Sequence, residues 1–190
     1  GILSDLQVQE GDIVTPGQVL GRLHDTQFQS AVVELENQIV SLELRKLRLE
    51  AEIAGAFEMK VPQGLEQASP GLVGSERALL VARQQDFVSR DESIAKVVAE
   101  NRSELKLLTS LQDRKLVADI EVTRARRALR ENELRHAEVT STITLSRAEE
   151  LSKTIQELNS LRQTLRGRQD QLTRTTLVSP LRGIVNKLSV

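Results

Sequence analysis

The same short pattern stands at both ends of the chain and limits the folds that the chain can adopt. Residues 1–8 read Gly-Ile-Leu-Ser-Asp-Leu-Gln-Val and residues 183–190 read Gly-Ile-Val-Asn-Lys-Leu-Ser-Val, with the same residue at four of eight positions. Each copy begins with glycine and then alternates apolar and polar residues, which is typical of a half-buried β-strand. We therefore interpret the two ends as parts of one small β unit that a long insertion divides.

The residues that follow the first copy predict more of this β unit. Turn signals at Gly11-Asp12 and Pro16-Gly17 separate short apolar pieces, so we expect three or four short strands within residues 8–23, in the first half of the unit at residues 1–23. Residues 178–190 form the second half of the unit, which we expect to be incomplete here. Because residue 1 already lies inside a strand-like pattern, we expect the chain to be part of a longer protein.

Most of the intervening sequence has the heptad spacing of a coiled coil. Aromatic residues make up only 2% of the chain, which favours long helices packed along narrow seams over a compact aromatic core. The first seam contains Phe28, Val32, Leu35, Ile39, Leu42, Lys46, Leu49, Ile53 and Ala56. The second contains Leu80, Phe87, Ile94, Val98, Asn101, Leu105 and Leu108, and the third Leu151, Ile155, Leu158, Leu165 and Leu172. These seams predict helices over about residues 25–57, 75–112 and 118–177.

A cluster of helix-breaking residues separates the first two predicted helices. Pro62, Gly64, Pro70, Gly71 and Gly74 predict a loop over residues 58–74. Ser75, followed by Glu76, is then a suitable start for the second helix.

Geometry requires a second reversal of the chain between residues 75 and 177. A single helix over that range would be about 155 Å long, at 1.5 Å per residue, and would hold the two matched ends far apart. The best place for the reversal is the polar cluster at residues 112–118, where the seam spacing lapses. We predict a hairpin of three helices with its tip at about residues 112–118. The first two helices run outward side by side and the third returns.

The sequence lacks the motifs of catalysis and of cofactor or metal binding. It contains two histidines on different elements, no cysteine, no phosphate-binding glycine loop and no nucleophile elbow. A net charge of −1 with interspersed acids and bases argues against nucleic acid as a partner. We therefore predict a protein that is not an enzyme and that has no cofactor, no metal site and no catalytic residues.

Two stretches resemble the halves of a lipoyl/biotinyl domain. They are residues 8–20, with Glu10-Gly11-Asp12, Val14 and Gly17-Gln18-Val19-Leu20, and residues 178–185, which resemble the strand that opens the second half. A lipoyl domain split by a helical hairpin is the hallmark of periplasmic adaptor proteins, also called membrane fusion proteins. The segment from Glu76 to Arg83 and the three-segment hairpin resemble the haemolysin-secretion branch, the adaptor subunits of type I secretion systems. The resemblance spans essentially the whole chain.

This resemblance implies a mainly α fold with a small β part, in which a coiled-coil hairpin over residues 24–177 is inserted into a split lipoyl-like domain. It implies a periplasmic adaptor, held at the bacterial inner membrane by a segment absent from this chain, that links an ABC exporter to a TolC-like outer-membrane channel. The other implied partners are an exported protein and further copies of the adaptor in a ring. The hairpin tip would contact the channel, and its candidate contact residues are Leu111, Arg114, Lys115, Leu116, Val117 and Ala118.

The tip departs from the pattern that many members of this family share. Family tips often carry Arg, then Leu four residues later, then Ser seven residues after that. With Leu111 at the Leu position, this chain has Leu107 at the Arg position and Ala118 at the Ser position. Hydrogen bonding at the tip is therefore expected to differ.

Three alternatives stay open at this point. A multidrug efflux adaptor would have the same fold, although such hairpins tend to be shorter and to lack a loop like residues 58–74. A biotin or lipoyl carrier would need a modifiable lysine on a β-turn, whereas Lys60 of Glu58-Met59-Lys60 follows a long helix. A coiled-coil scaffold would leave the matched ends unexplained.

Overall fold

The computed structural model describes residues 2–188 and divides into two compact units. The β unit comprises Gly1–Glu43 and Gln156–Val190, and the hairpin unit comprises Leu44–Ile155. The outer ends of the matched pattern, at Gly1 and at residues 189–190, lie outside the described residues.

Both ends of the chain contribute strands to the β unit. The described strands are β1 (Leu3–Leu6), β2 (Ile13–Val14), β3 (Val19–Leu23), β4 (Thr176–Val178) and β5 (Gly183–Ile184). One antiparallel sheet has the order β1-β3-β4 and a second antiparallel pair joins β2 to β5. Each sheet thus combines strands from both halves, while the two matched copies, in β1 and β5, lie in different sheets and do not pair with each other.

Two glycines in the β unit occupy positions that are unfavourable for a larger residue. Gly17 has φ +80°, a left-handed conformation that glycine adopts without a steric penalty, and its N–H donates to the Ser179 carbonyl at 2.7 Å. At Gly21, a Cβ atom would lie 2.8 Å from the carbonyl oxygen of Asp5 on the neighbouring strand. Only glycine therefore lets β1 and β3 approach at this point.

Four helices lie between β3 and β4 and confirm the predicted fold class, mainly α with a small β part. They are α1 (Thr26–Ile53), α2 (Gln63–Ala68), α3 (Pro70–Asp113) and α4 (Asp119–Thr173). The boundaries between the two units fall within α1 and α4.

The prediction of a loop over residues 58–74 is wrong for most of that range. The short helix α2 occupies residues 63–68, and α3 already begins at Pro70. Proline is tolerated in the first turn of a helix because the N–H that it lacks has no partner there. Ser75 does not cap the helix but lies inside it, and its hydroxyl donates to the Gly71 carbonyl at 3.0 Å.

Two helices were also predicted to extend too far at their C-terminal ends. The first helix ends at Ile53 rather than near residue 57, and Gly55 follows in a left-handed conformation with φ +71°. The last helix ends at Thr173 rather than near residue 177, because residues 176–178 form β4 and pair with β3.

Within the hairpin unit, α3 and α4 are antiparallel and α1 lies parallel to α3. The ion pairs Arg83–Glu150 and Arg102–Glu133 show that α4 runs opposite to α3. The contacts of Arg48 with Glu76 and of Glu52 with Arg83 follow the same direction along α1 and α3. The first two long helices thus overlap side by side, as their lengths predict. The buried core here includes Leu44, Leu49, Leu80 and Val98.

The predicted seams differ from the buried faces at several positions. Leu44 is fully buried although it lies outside the predicted seam. On α1, Ile53 is 44% exposed, whereas the neighbouring Glu52 is only 1% exposed, because the end of α1 packs against two helices at once. On α4, Thr154 is buried instead of Ile155, and its hydroxyl donates to the Glu150 carbonyl at 2.8 Å.

Candidate partner-binding site at the hairpin tip

The hairpin tip is a five-residue connection, residues 114–118, between α3 and α4. The N–H of Lys115 donates to the Gln112 carbonyl at 2.7 Å, and the N–H of Leu116 donates to the Leu111 carbonyl at 2.9 Å. These two bonds and the left-handed backbone of Lys115, with φ +58°, form a Schellman motif. The carbonyl groups of Leu111 and Gln112, near the end of α3, are thereby satisfied without a capping side chain.

A lysine is unusual at the left-handed position of this motif. Glycine is preferred there because the Cβ atom of any other residue crowds the following carbonyl, at a cost of about 1 kcal/mol. Lys115 is the one non-glycine residue with a positive φ in the described part of the chain. A residue held in such a conformation is a reason to look for a function of its side chain.

The six candidate tip residues differ in exposure. Arg114, Lys115, Leu116 and Ala118 are exposed, and Leu111 and Val117 are half-buried. Leu116 is 65% exposed, which is high for a residue of this size and polarity. The tip therefore presents an apolar side chain directly beside two cations.

Two further apolar residues extend this surface and were not predicted from the sequence. Leu107, in the last two turns of α3, and Ile120, in the first turn of α4, are both more than half exposed. Helical spacing gave no reason to select them, because each is a single apolar residue on a mainly polar face. Their exposure became evident only from the structure.

A side-chain hydrogen bond closes the base of the tip. The Gln112 amide donates to the Asp119 carboxylate at 2.9 Å, which joins the end of α3 to the start of α4. Asp119 is also the first residue of α4, where the helix dipole favours a negative charge.

A second feature of the hairpin unit is a set of six charged residues between α1, α3 and α4, here called the charged layer. Each helix contributes one arginine and one glutamate. The members are Arg48 and Glu52 from α1, Glu76 and Arg83 from α3, and Arg147 and Glu150 from α4.

The charged layer is buried at its centre. The side chains of Arg48, Glu52 and Arg147 are 3%, 0% and 8% exposed. Glu52 Oε2 accepts no hydrogen bond, yet it lies 3.2 Å from Arg83 Nε and 3.4 Å from Arg147 Nε. The negative charge of Glu52 is thus compensated by two cations on two other helices and by Arg48 on its own helix. The Arg147 guanidinium also lies 5.0 Å from the centre of the Phe87 ring, a cation–π geometry.

The charges in the layer shift the pKa values of its members. Burial opposes the charge of Arg48, but its hydrogen bonds with Glu76 and Glu52 outweigh this and raise its pKa above the ordinary value. Burial lowers the pKa of Arg147, and the charge of Arg83 lowers it further, against the attraction of Glu52. Burial opposes ionisation of Glu150 too, but its hydrogen bonds with Arg45 and Arg83 hold its pKa below the ordinary value.

The described residues show neither a metal cluster nor a membrane helix. From residue 2 to residue 188, no three His, Cys, Asp or Glu side chains gather in a way that could hold a metal ion. Within that same stretch, no helix is long and apolar enough to cross a bilayer.

Two curated secretion proteins are similar to part of the chain. No protein-family model matches it. It is 33% identical to the type I secretion system membrane fusion protein PrsE of Rhizobium meliloti over 95 residues, which cover 50% of this chain and 21% of PrsE. It is 30% identical to the alkaline protease secretion protein AprE of Pseudomonas aeruginosa over 95 residues, which cover 50% of this chain and 22% of AprE. The match therefore spans about a fifth of the length of these curated relatives.

A solved structure shares the fold. The soluble domain of LipC, a membrane fusion protein of a type I secretion system, superposes with a TM-score of 0.75 at 19% sequence identity. The superposition covers 97% of this chain and 87% of the LipC chain. This chain is thus similar to membrane fusion proteins of type I secretion systems, in sequence over half of its length and in fold over nearly all of it, and the resemblance predicted from its sequence is confirmed.

Proposed function

We propose that this chain is the hairpin-bearing part of a periplasmic adaptor in a type I secretion system. The adaptor connects an ABC exporter in the inner membrane to a TolC-like channel in the outer membrane, so that a protein substrate crosses both membranes in one step. It acts by holding its partners together and catalyses no reaction. Residues 1–23 and 178–190 belong to its lipoyl-like domain, residues 24–177 form the hairpin, and several copies assemble as a ring.

The observation that carries this proposal is the surface of the tip. Leu116 is 65% exposed beside Arg114 and Lys115, at the far end of two long antiparallel helices. An exposed apolar side chain with neighbouring charges is suited to a protein partner, which covers the apolar part and pairs with the charges. Arg114, Lys115, Leu116, Val117 and Ala118, with Leu111, are therefore the proposed contacts with the channel.

The relatives support a protein as the exported substrate. PrsE is named as a membrane fusion protein of a type I secretion system, and AprE as a protein for secretion of an alkaline protease. We propose the same class of cargo for the system in which this chain works.

Replacing Leu116 by serine tests the proposal in cells. If Leu116 is buried in a pocket of the channel, the loss of its apolar area costs about 1.5–3 kcal/mol, and binding weakens by about tenfold or more. The matched control is Leu145→Ser on α4, because Leu145 is 60% exposed and lies far from the tip in sequence.

Both variants are placed in the full-length protein and returned to a strain that lacks it. We expect export of the protein substrate to fall with Leu116→Ser and to stay normal with Leu145→Ser, at equal amounts of adaptor. Normal export with Leu116→Ser would refute the assignment of the tip. Normal export in the deletion strain itself, with loss of drug resistance, would refute protein secretion and favour the efflux alternative.

A further inference from the structure

We propose that the charged layer fixes the register of α1 against α3, and thereby the level at which packing of three helices gives way to packing of two. This inference does not depend on the proposed function. It concerns Arg48 and Glu52 of α1, which reach partners on both other long helices.

The ion pairs of the layer join every pair of the three helices. Arg48 contacts Glu76 on α3 and lies 3.5 Å from Glu150 on α4. Glu52 lies 3.2 Å from Arg83 on α3 and 3.4 Å from Arg147 on α4. Arg83 and Glu150 close the set at 3.1 Å. The six residues carry three positive and three negative charges, and the half-exposed Arg45 of α1 adds a further cation 3.0 Å from Glu150.

The apolar contacts of α3 do not select one register by themselves. Val73, Leu80, Phe87 and Ile94 follow one another at intervals of seven residues. A shift of α3 by one heptad, about 10.5 Å at 1.5 Å per residue, therefore replaces one apolar residue by another along this row. Another feature must distinguish the native register from its neighbours.

The charged residues make this distinction because Glu76 and Arg83 are also seven residues apart. A shift by one heptad in one direction brings Arg83 to the place of Glu76, opposite Arg48. A shift in the other direction brings Glu76 to the place of Arg83, opposite Glu52. Each shift thus sets like charges against each other in a buried position, which is strongly unfavourable.

The end of α1 depends on the same register. The buried amide of Gln84 donates to the carbonyls of Glu52 at 3.2 Å and of Ala56 at 3.1 Å, and Arg147 donates to the Glu52 carbonyl at 3.2 Å. The last carbonyls of a helix have no partner within the helix. Side chains of α3 and α4 supply that partner here, and they face the end of α1 only in the native register.

The test removes the two buried charges of α1, one positive and one negative, in the variant Arg48→Met/Glu52→Leu. Two positive and two negative charges of the layer then remain on α3 and α4. The contact of Arg45 with Glu150 also remains, but it joins α1 to α4 and not to α3. Apolar replacement of a buried ion pair often preserves stability, so the helices should persist. The control is Lys46→Met/Glu50→Leu, which removes an exposed pair with the same i,i+4 spacing on the same helix.

The readout is the distance between spin labels at positions 53 and 100 in the full-length protein, measured by pulsed electron paramagnetic resonance. The 190 residues contain no cysteine, so cysteines at these two positions carry the labels of this region. We expect one narrow distance in the wild type and in the control. Arg48→Met/Glu52→Leu should show a broad distribution, or a second distance displaced on the order of 10 Å, which is one heptad.

A narrow, wild-type distance in Arg48→Met/Glu52→Leu, with unchanged helix content, would overturn the proposal. If that variant does not fold, Arg48→Lys is the decisive variant. Lysine keeps the charge but lacks the forked geometry with which arginine reaches two carboxylates. Broadening with Arg48→Lys would support the proposal, and a narrow wild-type distance would refute it.

Discussion

Replacement of Lys115 by glycine distinguishes the effect of its backbone conformation on stability from the effect of its side chain on binding. The left-handed conformation of Lys115, with φ +58°, is strained for lysine and relaxed for glycine. No other candidate tip residue has a positive φ, so the effect should be confined to this position. We expect Lys115→Gly to make the folded chain more stable and, if the amine binds the channel, to make docking weaker.

The expected gain in stability follows from the cost of the left-handed conformation. That cost is about 1 kcal/mol for a residue with a Cβ atom, reduced by the greater freedom of glycine in the unfolded chain. A gain of up to about 1 kcal/mol raises the unfolding midpoint of a chain of this size by up to about 2–4 °C. Thermal unfolding followed by circular dichroism resolves such a difference.

Lys115→Ala is the matched control, because alanine also lacks the amine but keeps the strained Cβ atom. We expect Lys115→Ala to leave the unfolding midpoint near that of the wild type, and both variants to weaken binding to the purified channel equally. Equal midpoints for the glycine and alanine variants would refute the backbone argument. Unchanged channel binding in both would refute a role for the Lys115 side chain.

Three further predictions concern the rest of the fold. Burial opposes ionisation of Glu150, but hydrogen bonds from Arg45 and Arg83 outweigh it and lower the pKa. The ionised carboxylate therefore stabilises the folded chain at pH values above 4.5, the ordinary pKa of a glutamate. This stability is lost as the pH falls through the lowered pKa, so urea unfolding should show a smaller acid sensitivity in Glu150→Gln. Glu52→Gln leaves buried cations uncompensated and should lower the free energy of unfolding by about 3 kcal/mol in urea titrations. Gly21→Ala should lower the unfolding midpoint, because its Cβ would lie 2.8 Å from a carbonyl oxygen, whereas Gly167→Ala, with nothing within 4 Å, should raise it.

The heptad pattern carried most of the information about the helices. Apolar seams predicted three long helices, and helix length required a reversal between residues 75 and 177. The polar cluster and the lapse in seam spacing placed this reversal at residues 112–118, and the chain turns there, between Asp113 and Asp119. The start of α3 was misplaced because Pro70 and Gly71 were interpreted as helix breakers. In the first turn of a helix, proline is accepted, and the sequence alone does not say which turn is the first.

The charged layer could not have been predicted from the sequence. Arg48 and Glu52 have the same i,i+4 spacing and opposite charges as Lys46 and Glu50. The first pair is buried and the second is exposed, and only the position of α3 and α4 around α1 decides between them. On a single helix, both pairs indicate a solvated surface.

The conformation and exposure of the tip residues were also not predictable from the sequence. Residue types indicated where the chain turns, but the sequence did not show that Lys115 adopts a left-handed backbone or that Leu107 and Ile120 extend the exposed surface. These properties arise from the way in which the last turn of α3 closes.

Site-specific photo-crosslinking in living cells tests the central claim, that the tip of the hairpin docks on the outer-membrane channel. A photoreactive amino acid replaces Leu116 in one sample of the full-length protein and Leu145 in another, since both positions are exposed to a similar degree. We predict a crosslink to the channel from position 116 and none from position 145. A crosslink to the channel from position 145 alone, or from neither position while export proceeds, would contradict the claim.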